Sequence, residues 1–245
     1  STINTSDVTG GDGGPIILEA AGDITASGVF LGPRGEFVTL GAFSFSDTGD
    51  SGNGGAITIS SRSGDISLVG SQQENLLLGP DLITVGSLSF SVGAGNSGIG
   101  GPIEIASDSG NINIVGDLNS QSFTGQGSSF FLPPGNSGAG GDIIITSNTG
   151  DITIEGDVGS GSQSLTIFVP SGNTGDGGNI TLSTRSGNVR LINNSVSETS
   201  LGSSSLNARS QSIAVDAFSG NTGSGGTITL SSTTGDILIE GPFVD

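Results

Sequence analysis

Residues 51–66 read SGNGGAITISSRSGDI, and this stretch carries the two signatures that decide the fold. The letters GGAITI give a glycine pair followed by an alternating apolar run. Alternation in a strand places every second side chain on one face. The letters SGDI then give a turn, because glycine adopts positive φ and a short Asp side chain caps nearby backbone. The stretch therefore predicts a strand, a corner and a second strand.

The glycine pair with its alternating run occurs six times. The second glycines stand at positions 14, 55, 101, 141, 178 and 226, which gives spacings of 41, 46, 40, 37 and 48 residues. Repeats of this length indicate a solenoid or another repeat architecture. We therefore predict that residues 1–245 form a single β-solenoid domain, with repeats starting near residues 13, 54, 100, 140, 177 and 225.

Stacked repeats place equivalent apolar residues in interior columns. The first predicted core column is Ile16, Ile57, Ile103, Ile143, Ile180 and Ile228. The second is Ile24, Ile66, Ile112, Ile152, Val189 and Ile237. A single repeat cannot bury its own apolar face, so stacking is what makes one continuous core.

A third apolar run follows after an insert of variable length, for example at residues 37–40, 88–92, 165–169 and 213–215. Most Phe residues lie in or near these runs, where we expect them to fill the wider side of the interior. The pattern predicts an all-β fold: a three-sided, right-handed parallel β-helix (solenoid) of about six coils. The hand follows the rule for parallel crossovers. Six coils at about 4.8 Å make a rod of about 29 Å.

The second signature places an Asp or Asn at one corner of every coil. Its members are Asp23, Asp65, Asn111, Asp151, Asn188 and Asp236. Calcium takes six to eight oxygen ligands, so a site would need several carboxylates to converge. Two members are neutral Asn, which favours a structural ladder that caps the corner backbone. We predict this turn ladder with no metal and no cofactor, and leave Ca²⁺ binding at the acidic corners as an open alternative.

The composition argues against several function classes. The chain has five Arg and no Lys against twenty-three carboxylates, a formal charge of −18, which weighs against nucleic acid as a partner. It contains no Cys, His, Tyr or Trp. The acidic pairs Asp47–Asp50 and Asp7–Asp12 therefore lack the base and the aromatic platform of a glycosidase or lyase, and we predict no catalytic residue and no enzyme. No stretch approaches the roughly 20 apolar residues that span a bilayer, so we expect no membrane insertion.

Residues 51–66, 171–189 and 219–237 share one pattern, which resembles the repeats of filamentous-haemagglutinin-like bacterial surface proteins, especially the large cyanobacterial ones. The resemblance covers nearly all of the chain. It implies an exported, right-handed β-helical shaft used in adhesion or surface structure, with an extracellular or cell-surface location. The coils of this chain are long because of their inserts.

The chain contains no Met, so we interpret it as a processed product or an excised piece. The ends of the sequence show no amphipathic capping helix. Uncapped solenoids stack end to end. We expect a structural subunit or segment of an extracellular bacterial fibre or adhesin, with itself as partner in a head-to-tail homopolymer. The alternative is a surface module that recognises glycans or cells through the inserts at 27–36, 70–82, 116–129, 156–163 and 193–210.

Overall fold

The computed structural model of the chain describes residues 3–28, 30–31, 37–70, 82–126, 133–192 and 206–241. Within these ranges the regular structure consists of strands and contains no helix. The strands form six successive coils, each with one strand on each of three sides.

The strand bounds follow the repeat. Coil one has β1 (Ile3–Asn4), β2 (Ile16–Ala20) and β3 (Ile24–Ser27). After β4 (Phe30–Leu31), coil two has β5 (Phe37–Gly41), β6 (Ser44–Ser46), β7 (Ile57–Ser61) and β8 (Ile66–Val69). Coil three has β9 (Leu82–Val92), β10 (Ile103–Ser107) and β11 (Ile112–Val115), and coil four has β12 (Asp117–Gly125), β13 (Ile143–Ser147) and β14 (Ile152–Glu155). Coil five has β15 (Val158–Ile167), β16 (Ile180–Thr184) and β17 (Val189–Ile192), and coil six has β18 (Leu206–Val215), β19 (Ile228–Ser232) and β20 (Ile237–Glu240).

The coils stack into three parallel sheets. The first sheet is β2-β7-β10-β13-β16-β19 and the second is β3-β8-β11-β14-β17-β20. The third is β1-β5-β9-β12-β15-β18, in which β6 also pairs with β9 and β4 runs antiparallel to β5. The chain is thus a three-sided parallel β-helix of six coils, as the repeat predicts. Its right-handed winding rests on the general rule for parallel crossovers.

The first two sheets stack without any offset. Ile103 pairs with Ile57 on one side and Ile143 on the other, and Ile112 pairs with Ile66 and Ile152 in the same way. This register carries each predicted column through all six coils. Because a one-residue slip would turn every side chain to the opposite face, the buried columns and the register enforce each other.

The interior columns are fully buried in the middle of the stack. Ile57, Ile66, Ile103, Ile112, Ile143, Ile152, Ile180 and Val189 all have 0% exposure, and Ile16 has 2%. Ile24 in the first coil is half-buried. Ile228 and Ile237 continue the columns in register but are exposed, because no further coil lies against the sixth.

The third sheet differs from the sequence-based expectation. Its strands β9, β12, β15 and β18 are 9 to 11 residues long, so residues 117–125, 158–163 and 206–210 belong to the sheet and not to inserts. Near its start each of these strands has an aliphatic residue in the core, namely Val85, Leu118, Val158 and Leu206. Most inward positions beyond it hold buried Ser, which is why no longer apolar alternation marks these strands. The predicted inserts at 29, 32–36, 71–81, 127–129 and 193–205 lie outside the described residues.

Phenylalanine does not fill the interior of the third sheet. Phe45, Phe90 and Phe123 are register neighbours, and each alternates with serines that bond the interior corners. Their rings therefore lie on the outer face. The ring centroids of Phe45 and Phe90 are 5.9 Å apart, and those of Phe90 and Phe123 are 4.4 Å apart. Phe43 is buried too, but in a small separate cluster with Val38 and Leu88, and the main core cluster of the described residues contains no Phe. The expectation that Phe fills the wider side of the interior was therefore wrong.

Two adjacent residues of β13 test the assignment of faces. Ile145 is fully buried and Ile144 points outward with 39% exposure. We expect Ile145→Ala to lower the free energy of unfolding by about 2–5 kcal/mol, because it leaves a cavity in the column. Ile144→Ala should lower it by less than about 1 kcal/mol. Urea unfolding of both variants checks this, and equal losses would contradict the assignment.

Candidate functional site

A ladder of side-chain hydrogen bonds runs along the corner between the first and second sheets. Its members are the predicted residues Asp23, Asp65, Asn111, Asp151, Asn188 and Asp236. In every one of the five links, Oδ1 of one residue accepts a hydrogen bond from the backbone N–H of its equivalent in the next coil, at 2.7 to 2.9 Å. The structure therefore brings the six residues together along one edge of the rod.

The ladder uses an acceptor oxygen, which both Asp and Asn provide. Where Asn188 follows Asp151, the side-chain Nδ2 also donates to Asp151 Oδ1, at 3.2 Å. One Oδ1 is thus held by two donors, which suits an anion. Among the described residues no group of three or more acidic or histidine side chains converges in a way that could hold a metal ion. The side chains of the ladder accept hydrogen bonds from backbone N–H groups and so connect each coil to the next.

A second ladder of the same kind was not predicted from the sequence. It runs through Asp50, Asn96, Asn136, Asn173 and Asn221. Each Oδ1 accepts from the next backbone N–H at 2.7 to 3.0 Å. The signal was present, because four of these residues are the Asn of a G-N-[ST]-G corner. Shorter ladders link Asp12, Asn53 and the N–H of Ile99, and Asp142, Asn179 and the N–H of Thr227.

Three of the four acidic residues considered for catalysis, Asp7, Asp12 and Asp50, accept hydrogen bonds from backbone N–H groups. Asp12 Oδ1 accepts from Asn53 N–H at 2.7 Å, and Asp50 Oδ1 accepts from Asn96 N–H at 2.7 Å. Asp7 Oδ1 accepts from the backbone and hydroxyl of Thr9 and from a further backbone N–H. These donors lower the pKa of the Asp7 carboxyl, the bond from the Thr9 N–H most strongly. The contribution of Asp7 to stability is therefore present above its unfolded-state pKa and is lost as the pH falls through the lowered one.

The glycine before each ladder residue is required by a close approach between coils. A Cβ added to Gly110 would lie 2.0 Å from the carbonyl oxygen of Gly64, and one on Gly150 would lie 2.1 Å from that of Gly110. None of these corner glycines has a positive φ, so the expectation that they supply one was wrong. Positive φ occurs at Gly116 and Gly156, after the strands of the second sheet.

In coils two to six a hydroxyl at the end of the first-sheet strand completes the corner, whereas β2 of coil one ends at Ala20. Ser107 Oγ donates to the carbonyl of Gly64 in the preceding coil and accepts from the N–H of Gly110 in its own coil. The same two bonds recur at Ser61, Ser147, Thr184 and Ser232. Because a hydroxyl is both donor and acceptor, one side chain satisfies two backbone groups of the buried corner.

Buried serines on the inner face of the third sheet also bond backbone groups through their hydroxyls. Ser120 Oγ donates to Gly101 O at 2.7 Å and accepts from Gly141 N–H at 3.0 Å. Ser122 Oγ lies 2.7 Å from Ser97 Oγ. These serines have 0% exposure, with the exception of Ser97 at 7%. The third wall of the interior therefore has an aliphatic column, formed by Leu40, Val85, Leu118 and Val158, and a serine-rich part beside it. The hydroxyls of that part satisfy the backbone of the glycine-rich corners.

Comparison with known proteins adds no further assignment. No protein-family model, curated protein or solved structure gives a significant match to the chain. Within the described residues there is no helix long and apolar enough to cross a membrane. The class of the protein, a β-solenoid with hydrogen-bonded corner ladders, therefore rests on its own register and contacts.

Asn111 tests the ladder. Asn111→Ala removes the acceptor of the Asp151 N–H, and we expect it to lower the free energy of unfolding by about 1 kcal/mol. Asn111→Asp keeps the acceptor but places three carboxylates in succession, at positions 65, 111 and 151. Because salt screens their repulsion, the decrease in unfolding free energy caused by Asn111→Asp should become smaller as salt is added. Amide hydrogen exchange at Asp151 reports the bond directly. Exchange that is unchanged in Asn111→Ala would contradict the ladder.

Two equivalent glycines test the close approach. Gly110→Ala meets the Gly64 backbone, and we expect it to cost about 3 kcal/mol or more. Gly22 holds the same position in coil one, where an added Cβ meets nothing within 4 Å. Gly22→Ala should leave the thermal unfolding midpoint nearly unchanged. Similar effects of the two substitutions would show that contact between coils is not the reason for the glycine.

Proposed function

We propose that the chain is a structural segment of an extracellular bacterial fibre or adhesin, which assembles head to tail by stacking solenoid ends. The observation that carries the proposal is the face of the sixth coil. Ile228 and Ile237 are 42% and 44% exposed there, whereas Ile180 and Val189, their partners in the fifth coil, are fully buried. The exposed apolar columns support the stacking of a further coil on this face.

The corner ladder gives the proposed contact between two copies a direction, because its donors and acceptors lie on opposite ends of the rod. Each link runs from a backbone N–H to Oδ1 of the preceding coil, so Asp236 Oδ1 is the acceptor for the next coil. The corresponding donor in coil one is the N–H of Asp23. A second copy placed on the sixth coil would pair β1 with β18, β2 with β19 and β3 with β20. The same interaction that aligns coils inside the chain would then align copies.

The surface charge favours growth at the ends over association at the sides. The formal charge of −18 makes the long faces of two rods repel each other. The end face of the second sheet instead presents Ile237 and Ile239, which are 44% and 58% exposed. The surface location and the adhesive role are supported by the resemblance to filamentous-haemagglutinin-like repeats. Recognition of glycans or cells through the inserts stays the alternative.

Two neighbouring residues of β20 allow a matched test. Ile239 continues an interior column, and Leu238 is a register partner of the outward-facing Arg190. Both are exposed, at 58% and 45%. We expect Ile239→Glu to abolish filaments, because it places a charge in the join, and Leu238→Glu to leave them intact. Electron microscopy over a range of concentrations checks this.

The same images can overturn the proposal. Short rods at every concentration of the unmodified chain would exclude head-to-tail stacking of copies. Filaments that persist in Ile239→Glu but vanish in Leu238→Glu would place the contact on the outer face. Both substitutions add one negative charge, so the comparison separates position from net charge.

A further inference from the structure

The outer face of the third sheet carries a small polar slot. It is lined by Gln121 on β12, Gly161 and Gln163 on β15, and Asn207 and Arg209 on β18, together with serines of the same strands. The slot spans coils four, five and six. It lies on a side of the rod that end-to-end stacking leaves open, so what it binds does not depend on filament assembly.

Gly161 lies in the floor of the slot, and Gly159 lies beside it on the same strand. Gly159 and Gly161 occupy successive outward positions of β15, where β12 has Asn119 and Gln121. A Cβ on Gly161 would lie 3.0 Å from the carbonyl oxygen of Arg209, and one on Gly159 would lie 2.6 Å from Asn119 Oδ1. Glycine inside a strand weakens the strand and often marks the close approach of another group. Here it keeps the floor low between two walls of longer side chains.

The slot has room for one hydroxyl group or one water, and its side chains can bond either. Its free volume is about 20 Å³, which exceeds the roughly 10–15 Å³ that one water needs. The amide of Gln163 makes no hydrogen bond among the described residues, and it offers both a donor and an acceptor. Gln211, its register partner on β18, has a buried Oε1 that also lacks a partner there. A hydroxyl donates and accepts, so it matches an amide on both counts.

The neighbouring column adds an apolar edge, because stacking on Phe90 covers one face of the Phe123 ring. Phe123 is the register partner of Gln163 and stacks on Phe90. A half-buried aromatic ring beside amide groups suits a ligand that has both apolar C–H faces and hydroxyls. The formal charge of −18 repels polyanions. We propose that this face binds an uncharged polysaccharide, with one hydroxyl of the sugar chain inserted between Gln121, Gln163 and Arg209.

Affinity electrophoresis of the full chain tests this proposal. The gels contain dextran, a galactan or a glucomannan, or the polyanion alginate as a comparison, and the protein is kept too dilute for end-to-end association. We expect at least one polysaccharide to retard the chain. Gln163→Ala should weaken that binding about threefold to tenfold, since it removes one hydrogen-bonding group. The matched control is Asn113→Ala, an outward amide on the second sheet, which should bind like the unmodified chain.

The outcomes are separable. Absence of retardation by all three polysaccharides overturns the proposal, and so does equal retardation of Gln163→Ala and the unmodified chain. Retardation by the polyanion alginate alone would overturn the assignment of an uncharged ligand. Thermal unfolding of both variants shows whether the fold is kept. Filament formation is scored separately, so failure of this site and failure of head-to-tail stacking are distinguishable.

Discussion

The structure depends on how closely the corner backbones of successive coils approach. At Gly110 the approach leaves no room for a Cβ, because the Gly64 carbonyl oxygen lies 2.0 Å from where that atom would be. Each coil must therefore repeat the same corner directly above the last. In the sequence this constraint is visible as a nearly constant number of residues between the glycine pair and the corner. From the second glycine of the pair to the ladder residue there are 9 residues in coil one (14 to 23) and 10 in the others, for example 55 to 65 and 101 to 111.

Variation in coil length is confined to the rest of the coil. The spacings of 37 to 48 residues are absorbed between the second-sheet strands and the next glycine pair, where the third-sheet strands also differ in length. The first two walls of the interior are aliphatic and in strict register. The third has one aliphatic column, Leu40, Val85, Leu118 and Val158, and beside it a serine-rich part whose hydroxyls bond the corner backbone. The rod thus combines two uniform aliphatic walls with a third side whose strands differ in length.

Sequence reasoning succeeded where hydrophobic alternation and glycine coincide. It located both aliphatic sheets, their interior columns and the residues of one corner ladder, because each has an apolar or turn signature in every repeat. It missed the length of the third sheet, since buried Ser120 and Ser122 look like loop residues until the coil places them inside. It assigned glycine to positive φ, because a contact between residues some 40 positions apart leaves no local signal. The second ladder was visible as a repeated Asn, and the polar slot was not, because it joins three coils.

One kind of link, from a backbone N–H to an Asp or Asn side chain, aligns the coils within the chain, and we propose that it also aligns copies along a fibre. Hydrogen exchange at the Asp23 amide tests this proposal. In a fibre of the proposed kind, this N–H would meet Asp236 Oδ1 of another copy. We expect fast exchange in dilute solution and strong protection in assembled material. Equally fast exchange in fibres and in single rods would rule out the link between copies.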